Sequence, residues 1–154
     1  YFLEIAQFFG KEGIDESERL NLLYAALKAL IRHEPKREMV RIVYELRTMM
    51  VNGVYTDSFS CHHCGKHLDV NEVNYFSVGD CFFYDSDCRS QIRGTAMELT
   101  PTVLYTLQLI FSLPMARIFS FEVKGQVLAD LKYIAKRMRA VFFGHTFHSE
   151  RFLD

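Results

Sequence analysis

The sequence predicts a mainly α-helical protein, a helical bundle with an inserted zinc-ribbon-like β-hairpin. Apolar residues recur at three- and four-residue spacing in the first and last thirds of the chain, as one buried face of a helix requires. Between these thirds, residues 56–93 hold all four cysteines and few strong helix formers. The 154 residues fit a single domain, 1–154, in which 56–93 form an inserted subdomain.

The first section, up to about Asn52, is predicted to form helices. Asp15 and Glu18 give a capping-box-like start, and Pro35 suits the first turn of the next helix. Asn52-Gly53 is a plausible helix stop. The predicted buried faces are Leu20, Leu23, Tyr24, Leu27, Leu30 and Ile31 in one helix, and Met39, Val43, Leu46 and Met50 in the next.

The last section is predicted to form two more helices. Thr100-Pro101 combines a helix cap with a proline at the first helical position, and Pro114 stops that helix. The final helix is expected over about 124–143, before Gly144. The predicted buried faces are Val103, Leu104, Leu107, Ile110 and Phe111 in the first of them, and Leu128, Leu131, Ile134, Ala135, Met138 and Phe142 in the second.

The middle section carries a predicted β-hairpin. Two short aromatic runs, Tyr75–Val78 and Cys81–Tyr84, are separated by Gly79-Asp80. Glycine at the first central position of a two-residue loop favours a tight primed turn.

The clearest local motif is a candidate metal site. Cys61 and Cys64 are spaced so that both thiolates can bind one tetrahedral zinc ion, and Gly65 helps to close the turn. After a 20-residue gap, Asp85 and Cys88 repeat the same spacing. We therefore expect a structural zinc ion held by Cys61, Cys64, Asp85 and Cys88.

The identity of the fourth ligand is open in the sequence. Cys81 would supply a fourth thiolate, but beside the hairpin turn it would lie roughly 13 Å from Asp85 along an extended strand. Alternatives to Asp85, listed here together, are His62, His63, His67 and water. A subdomain that has lost its metal and is held by aromatic packing is a further alternative.

Catalytic interpretations are weaker. A C-x-x-C motif with an internal histidine resembles thiol oxidoreductases, but those place the first cysteine at a helix N-terminus, whereas a polar loop precedes Cys61 and Gly65 follows the pair. The sequence contains no phosphate-binding, dinucleotide-binding, zinc-protease or serine-hydrolase motif. We expect a protein that is not an enzyme.

The first residues lack a signal-peptide pattern, and no apolar run approaches the roughly 20 residues of a membrane span. We therefore expect no membrane partner and a reduced, cytoplasmic environment for the thiols. The chain opens inside an apolar helical pattern without a methionine, so we expect an N-terminal part to be missing.

Charge points to a local binding site. The formal net charge of −1 gives the whole chain no preference for nucleic acid. Lys132, Lys136 and Arg139 share one helical stripe with Arg137 adjacent, which would suit DNA phosphates or an acidic peptide. A merely solvated helix face is the alternative. The cations at 28, 32, 37, 41 and 47 are interleaved with acids and are weaker candidates.

Several stretches, in order, resemble the bacterial RecO family. They are Tyr44-Glu45-Leu46-Arg47, Gly53-Val54-Tyr55, the Cys61/Cys64 pair, Leu99-Thr100, Arg117-Ile118-Phe119-Ser120-Phe121 and the ending Gly144–Leu153, which together cover nearly the whole chain. The chain departs from the family at Asp85, where many members carry cysteine, and in lacking the family's N-terminal OB-fold.

The resemblance implies a recombination mediator in the bacterial cytoplasm, associated with the nucleoid. Such a protein works with RecR to displace single-stranded-DNA-binding protein (SSB), loads RecA and anneals single-stranded DNA. It implies that RecR is contacted mainly through the missing OB-fold. The C-terminal region is implicated in docking the acidic, Phe-ended tail of SSB, for which an apolar groove flanked by cations is needed.

Overall fold

The computed structural model describes residues 1–153 and confirms the mainly α fold class. Five α-helices surround a small sheet. The helices are α1 (Phe2–Phe9), α2 (Ser17–Arg32), α3 (Arg37–Val51), α4 (Pro101–Ser112) and α5 (Gly125–Phe142). The strands are β1 (Asn74–Ser77), β2 (Phe83–Asp85) and β3 (Ala96–Leu99), and short 3₁₀ turns lie at Arg89–Gln91, Met115–Arg117 and His148–Phe152. None of the helices described is long and apolar enough to cross a membrane.

Helix α3 is the centre of the bundle. It packs against α2, α4 and α5, and ten of its residues are buried. A helix that is covered on every side must bury whatever polar groups it carries, and α3 buries both Glu45 and Arg47. Each therefore needs partners from the surrounding elements.

Arg47 obtains its partners from the end of α4. Its guanidinium donates to the carbonyl oxygens of Ile110, Phe111 and Leu113, each at 3.2 Å. The last carbonyls of a helix have no partner within the helix, so this side chain acts as a C-terminal cap delivered from a neighbouring helix.

The predicted faces of α3 and α4 are confirmed except that Met50 is only half-buried. The Thr100 hydroxyl accepts the Val103 N–H at 3.3 Å, with Pro101 at the first helical position. In α5, Leu131, Ile134, Ala135 and Met138 are buried, whereas Leu128 and Phe142 are half-buried.

The predicted face of α2 is wrong. The buried residues are Leu22, Ala26 and Ala29, and Leu23 and Leu30 are half-buried. The remaining members of the predicted face are all exposed, namely Leu20, Tyr24, Leu27 and Ile31. The helix has two apolar stripes, and α3 packs on the one whose alanines let the two backbones approach closely. The predicted capping pair is also wrong, because Asp15 accepts the Ser17 N–H at 2.8 Å and Glu16 occupies the cap position.

The hairpin is confirmed as an antiparallel pair, but not its two-residue turn. β1 pairs with β2 in the register Tyr75 to Tyr84, and residues 78–82 connect them. The left-handed residue is Cys81, with φ of 63°, and its N–H bonds to the Ser77 carbonyl at 2.9 Å. The turn is wider than predicted because the Val78 N–H bonds instead to the Thr95 carbonyl, beside the third strand.

Strand β3 was not predicted. It pairs antiparallel with the other edge of β1, so the strand order is β2-β1-β3. Its sequence, Ala-Met-Glu-Leu, has no β-branched residue and would suit a helix in isolation. Pairing with β1 overrides that local preference.

The cysteine-containing subdomain is fixed to the bundle by three side chains that donate to its backbone. Gln108 of α4 donates to the carbonyls of Ser58 and Leu68, both at 3.0 Å. Arg137 of α5 donates to the Val78 carbonyl at 3.1 Å, and Thr56 donates to the Cys81 carbonyl at 2.7 Å. The subdomain is therefore held in one orientation on α4 and α5.

Replacing Arg47 with methionine should lower the free energy of unfolding by about 2 kcal/mol. The apolar stem is retained, but the buried carbonyls at the end of α4 lose their donor. Urea unfolding followed by circular dichroism measures this loss. The exposed Arg93 is the control, since Arg93→Met should change stability by less than about 0.5 kcal/mol. Equal effects of the two substitutions would contradict the capping role.

Candidate functional site

The first half of the candidate metal site is a tight turn. The Cys61 N–H bonds to the Lys66 carbonyl at 2.8 Å, and the Gly65 N–H bonds back to the Cys61 carbonyl at 2.9 Å. Gly65 has φ of +74°, a left-handed conformation that glycine adopts without steric cost. An isolated bridge between Ser60 and His67 closes the base of the turn, which sets the side chains of Cys61 and Cys64 side by side.

The second half begins where β2 ends. Asp85 is the last residue of the strand and is buried, and Cys88 lies just before the 3₁₀ turn at Arg89–Gln91. The Asp85 carboxylate accepts the Cys88 N–H at 2.9 Å, which turns the chain so that Cys88 faces back toward Asp85.

The two halves converge. The ligand atoms of Cys61, Cys64, Asp85 and Cys88 all lie within 4.8 Å of one another. A tetrahedral zinc ion with bonds of about 2.3 Å separates its ligands by about 3.8 Å, so a small contraction of this cluster would accommodate the ion. Three sulfurs and one carboxylate oxygen are also donor types that zinc accepts. The residues fit the metal.

The alternative ligands lie outside this cluster in the part of the chain described. The His62 ring stacks on Phe82, with centroids 3.6 Å apart, and His63 and His67 are exposed. Cys81 is buried in the core, where burial raises the pKa of its thiol to about 11. The identity of the metal and its binding to these four residues remain a prediction.

Protons occupy the places that a metal would take. The Cys64 thiol donates to Asp85 at 2.9 Å. This contact lowers the pKa of Asp85 to about 2 and raises the pKa of Cys64. Burial, followed by the neighbouring thiols, raises the pKa of Cys88 to about 12. Metal binding would therefore have to displace thiol protons.

The same geometry bears on thiol chemistry. A reactive cysteine needs a lowered pKa, commonly at a helix N-terminus. Cys61 and Cys64 lie in a turn that no helix follows, and the shift at Cys64 is in the opposite direction. The site has the character of a structural metal site.

A second feature is a groove of about 1150 Å³ on the opposite flank of α3 from α4. Its walls come from α1, α2, α3, α5 and the C-terminal 3₁₀ turn. The apolar side chains lining it include Leu3, Leu27, Leu30, Ile31, Ile42 and Phe152. The cationic ones are Arg37, Arg41, Lys132, Lys136 and Arg139, and the acidic ones are Glu38, Glu45 and Glu150.

The structure brings three of the four sequence-predicted cations to this groove, namely Lys132, Lys136 and Arg139. Arg137 is not among the lining residues, because it points to the hairpin and donates to Val78. Arg37 and Arg41 were judged weaker candidates in the sequence, yet they line the groove from α3. Their spacing to Glu45, at i, i+4 and i+8, was the available signal for one shared helix face.

Two of the groove cations are committed to internal pairs. Glu45 is 2% exposed and accepts from Arg41 at 3.0 Å and from Arg139 at 2.9 Å. Arg139 also donates to the Tyr1 hydroxyl at 2.7 Å and lies 3.7 Å from Glu150. This cluster forms the floor of the groove, and Arg139 is too deeply paired to be replaced without structural damage.

The remaining cations are more available. Lys132 makes an exposed pair with Glu38 at 3.2 Å, which is a weak contact. Arg37 and Lys136 are exposed and have no carboxylate partner within 4.0 Å among residues 1–153. The groove thus combines apolar walls with a cationic rim.

Comparison with known proteins gives two matches. The family model described as "Recombination protein O C terminal" matches residues 1–149. "DNA repair protein RecO" of Acetivibrio thermocellus is 29% identical over 126 residues, which cover 82% of this chain and 49% of that relative. The chain therefore spans about half the length of the curated relative it matches. Because the family match extends over nearly the whole chain and the fold agrees with it, the chain belongs to the family of recombination protein O C-terminal regions.

Proposed function

We propose that this chain is the C-terminal part of a RecO-type recombination mediator, a binding protein without catalytic activity that acts in bacterial DNA repair. In this proposal the protein works with RecR and SSB to load RecA onto single-stranded DNA, in the cytoplasm and at the nucleoid. Family membership and the name of the relative support the pathway. Contacts with RecR belong mainly to the OB-fold that accompanies this region in the family.

The observation that carries the proposal is the groove between α2, α3 and α5. An acidic tail that ends in phenylalanine needs an apolar pocket for the ring and cations for its carboxylates. Leu27, Ile31 and Ile42 provide apolar wall, and Arg37 and Lys136 provide cations that no internal carboxylate occupies. We assign the acidic tail of SSB to this groove.

The distribution of charge supports a peptide carboxylate over extended DNA. Five cations line the groove, but three acids lie among them, and the floor pairs are neutralised internally. A run of phosphates needs an unbroken basic surface, whereas a tail with a few carboxylates needs only local cations. Arg137 lies apart and adds no charge here.

The double substitution Arg37→Glu with Lys136→Glu should weaken binding of a labelled SSB C-terminal peptide by at least about tenfold, because two attractive charges become repulsive. Fluorescence anisotropy at low and moderate salt measures the affinity. Binding by the unaltered protein should also weaken as salt rises, since both cations are exposed.

Arg93→Glu is the matched control, because Arg93 is exposed and does not line the groove. It should leave the affinity nearly unchanged. A peptide without its terminal phenylalanine should not bind. If the intact peptide fails to bind even at high protein concentration, the groove assignment is wrong. A zinc-ribbon interaction module outside recombination then becomes the better function.

We also propose that Cys61, Cys64, Asp85 and Cys88 hold a structural zinc ion. Four protein donors leave no open position for substrate or activated water, so the ion would contribute stability and rigidity only. The three short paths into the site, from the turn at Cys61–Cys64, the end of β2 and the turn before Arg89, are separate in sequence and would be joined by the metal.

Cys64→Ser should reduce both the bound metal and the Tm, because it removes one of the four donors. Elemental analysis and thermal unfolding measure the two effects. Cys81→Ala is the informative control: it creates a small cavity in the core and should lower the Tm, yet leave the metal content intact. An unchanged Tm and metal content in Cys64→Ser would refute the zinc proposal.

Metal affinity should rise with pH through the neutral range. The raised pKa values of Cys64 and Cys88 mean that both thiols carry protons near neutrality in the metal-free protein. Metal binding must release these protons, so acid opposes it. Competition with a chromophoric zinc chelator at two pH values on either side of neutrality measures this dependence. An affinity that is independent of pH would show that fewer thiolates bind the ion.

A further inference from the structure

Helix α2 presents an apolar stripe to solvent. Leu20, Tyr24, Leu27 and Ile31 follow the spacing i, i+4, i+7 and i+11 and are 61%, 66%, 39% and 78% exposed. This spacing places all four on one line along the helix. Isolated exposed apolar residues are common, whereas a continuous line of four large ones marks a contact surface.

The stripe runs into the groove. Leu27 and Ile31 are lining residues, whereas Leu20 and Tyr24 lie beyond its end, toward the N-terminus of α2. At a rise of 1.5 Å per residue, Leu20 lies about 10 Å from Leu27 along the helix. An extended peptide spans that distance with about three residues.

Charge defines what can lie on the stripe. Lys28 and Arg32 follow it on one side, both exposed and without a carboxylate within 4.0 Å among the residues described. Lys28 also lies over the Tyr24 ring at 5.7 Å. At the other end, Glu16 is paired with Arg19 at 2.6 Å. The free charge beside the stripe is therefore positive.

We propose that the α2 stripe extends the groove and binds the segment that precedes the terminal aromatic residue of the same acidic peptide. The segment that fits is acidic, with apolar residues that cover Tyr24 and Leu20 while its carboxylates meet Lys28 and Arg32. This inference rests on the proposed function, because the groove fixes the end of the peptide. It adds a second contact that gives preference for longer partners.

Two peptides separate the inference from the function on which it rests. The short one is acidic and ends in phenylalanine, and the long one carries an N-terminal extension of a few acidic and apolar residues. The long peptide should bind at least about tenfold more tightly, because the extension buries two large side chains of the protein. Isothermal titration calorimetry with the intact protein measures both affinities.

The double substitution Leu20→Ser with Tyr24→Ser should remove the advantage of the long peptide and leave the affinity of the short one unchanged. Both side chains are largely exposed, so the fold does not depend on them. Tyr105→Ser is the matched control, since Tyr105 is 55% exposed on α4, away from the groove. It should affect neither peptide.

The outcomes are distinct. If the short peptide does not bind, the proposed function fails and the inference fails with it. If both peptides bind equally, the function stands and the inference is overturned. Sedimentation velocity completes the test. A concentration-dependent dimer that disappears in the Leu20→Ser, Tyr24→Ser protein would assign the stripe to a second copy of the chain and also overturn the proposal.

Discussion

The structure depends on the way in which α3 satisfies its buried charges. A helix covered on every side gains the most from apolar burial, but each charged group that it buries must find partners or destabilise the fold. Glu45 and Arg47 lie two residues apart and so project from different sides of α3. Glu45 gathers Arg41, Arg139 and Tyr1, whereas Arg47 binds the end of α4. The two sides of the bundle are thus joined to α3 by separate polar contacts.

The two candidate sites lie on the two sides that these contacts define. The Glu45 cluster forms the floor of the groove, where it fixes α5 and the start of α1 against α3. The Arg47 contact fixes α4, whose Gln108 in turn positions the turn that carries Cys61 and Cys64. Neither site is built on a free loop. Each is supported by a helix whose position is set from the core, which is the arrangement that a precise binding surface requires.

Sequence periodicity predicted the helices and most of their buried faces, because α3 and α4 each have a single apolar stripe. It failed on α2, where two stripes compete and only tertiary packing selects the one containing Ala26 and Ala29. Spacing alone predicted all four residues of the cysteine cluster, since short turns fix the geometry of each pair. The groove could be predicted only in part. Arg37 and Arg41 reach it because three helices converge there, and the packing of helices is not recorded in the order of charges along one of them.

The contacts that hold the cysteine subdomain have a consequence for sequence variation. Gln108, Arg137 and Thr56 all bind backbone carbonyl oxygens, at Ser58, Leu68, Val78 and Cys81. Every residue type has a carbonyl group, so the side chains at these four positions can change without loss of the attachment. The orientation of the subdomain is therefore insulated from the identity of its surface and of its metal ligands. A ligand set can drift, as the carboxylate at Asp85 illustrates, while the subdomain keeps its place on the bundle.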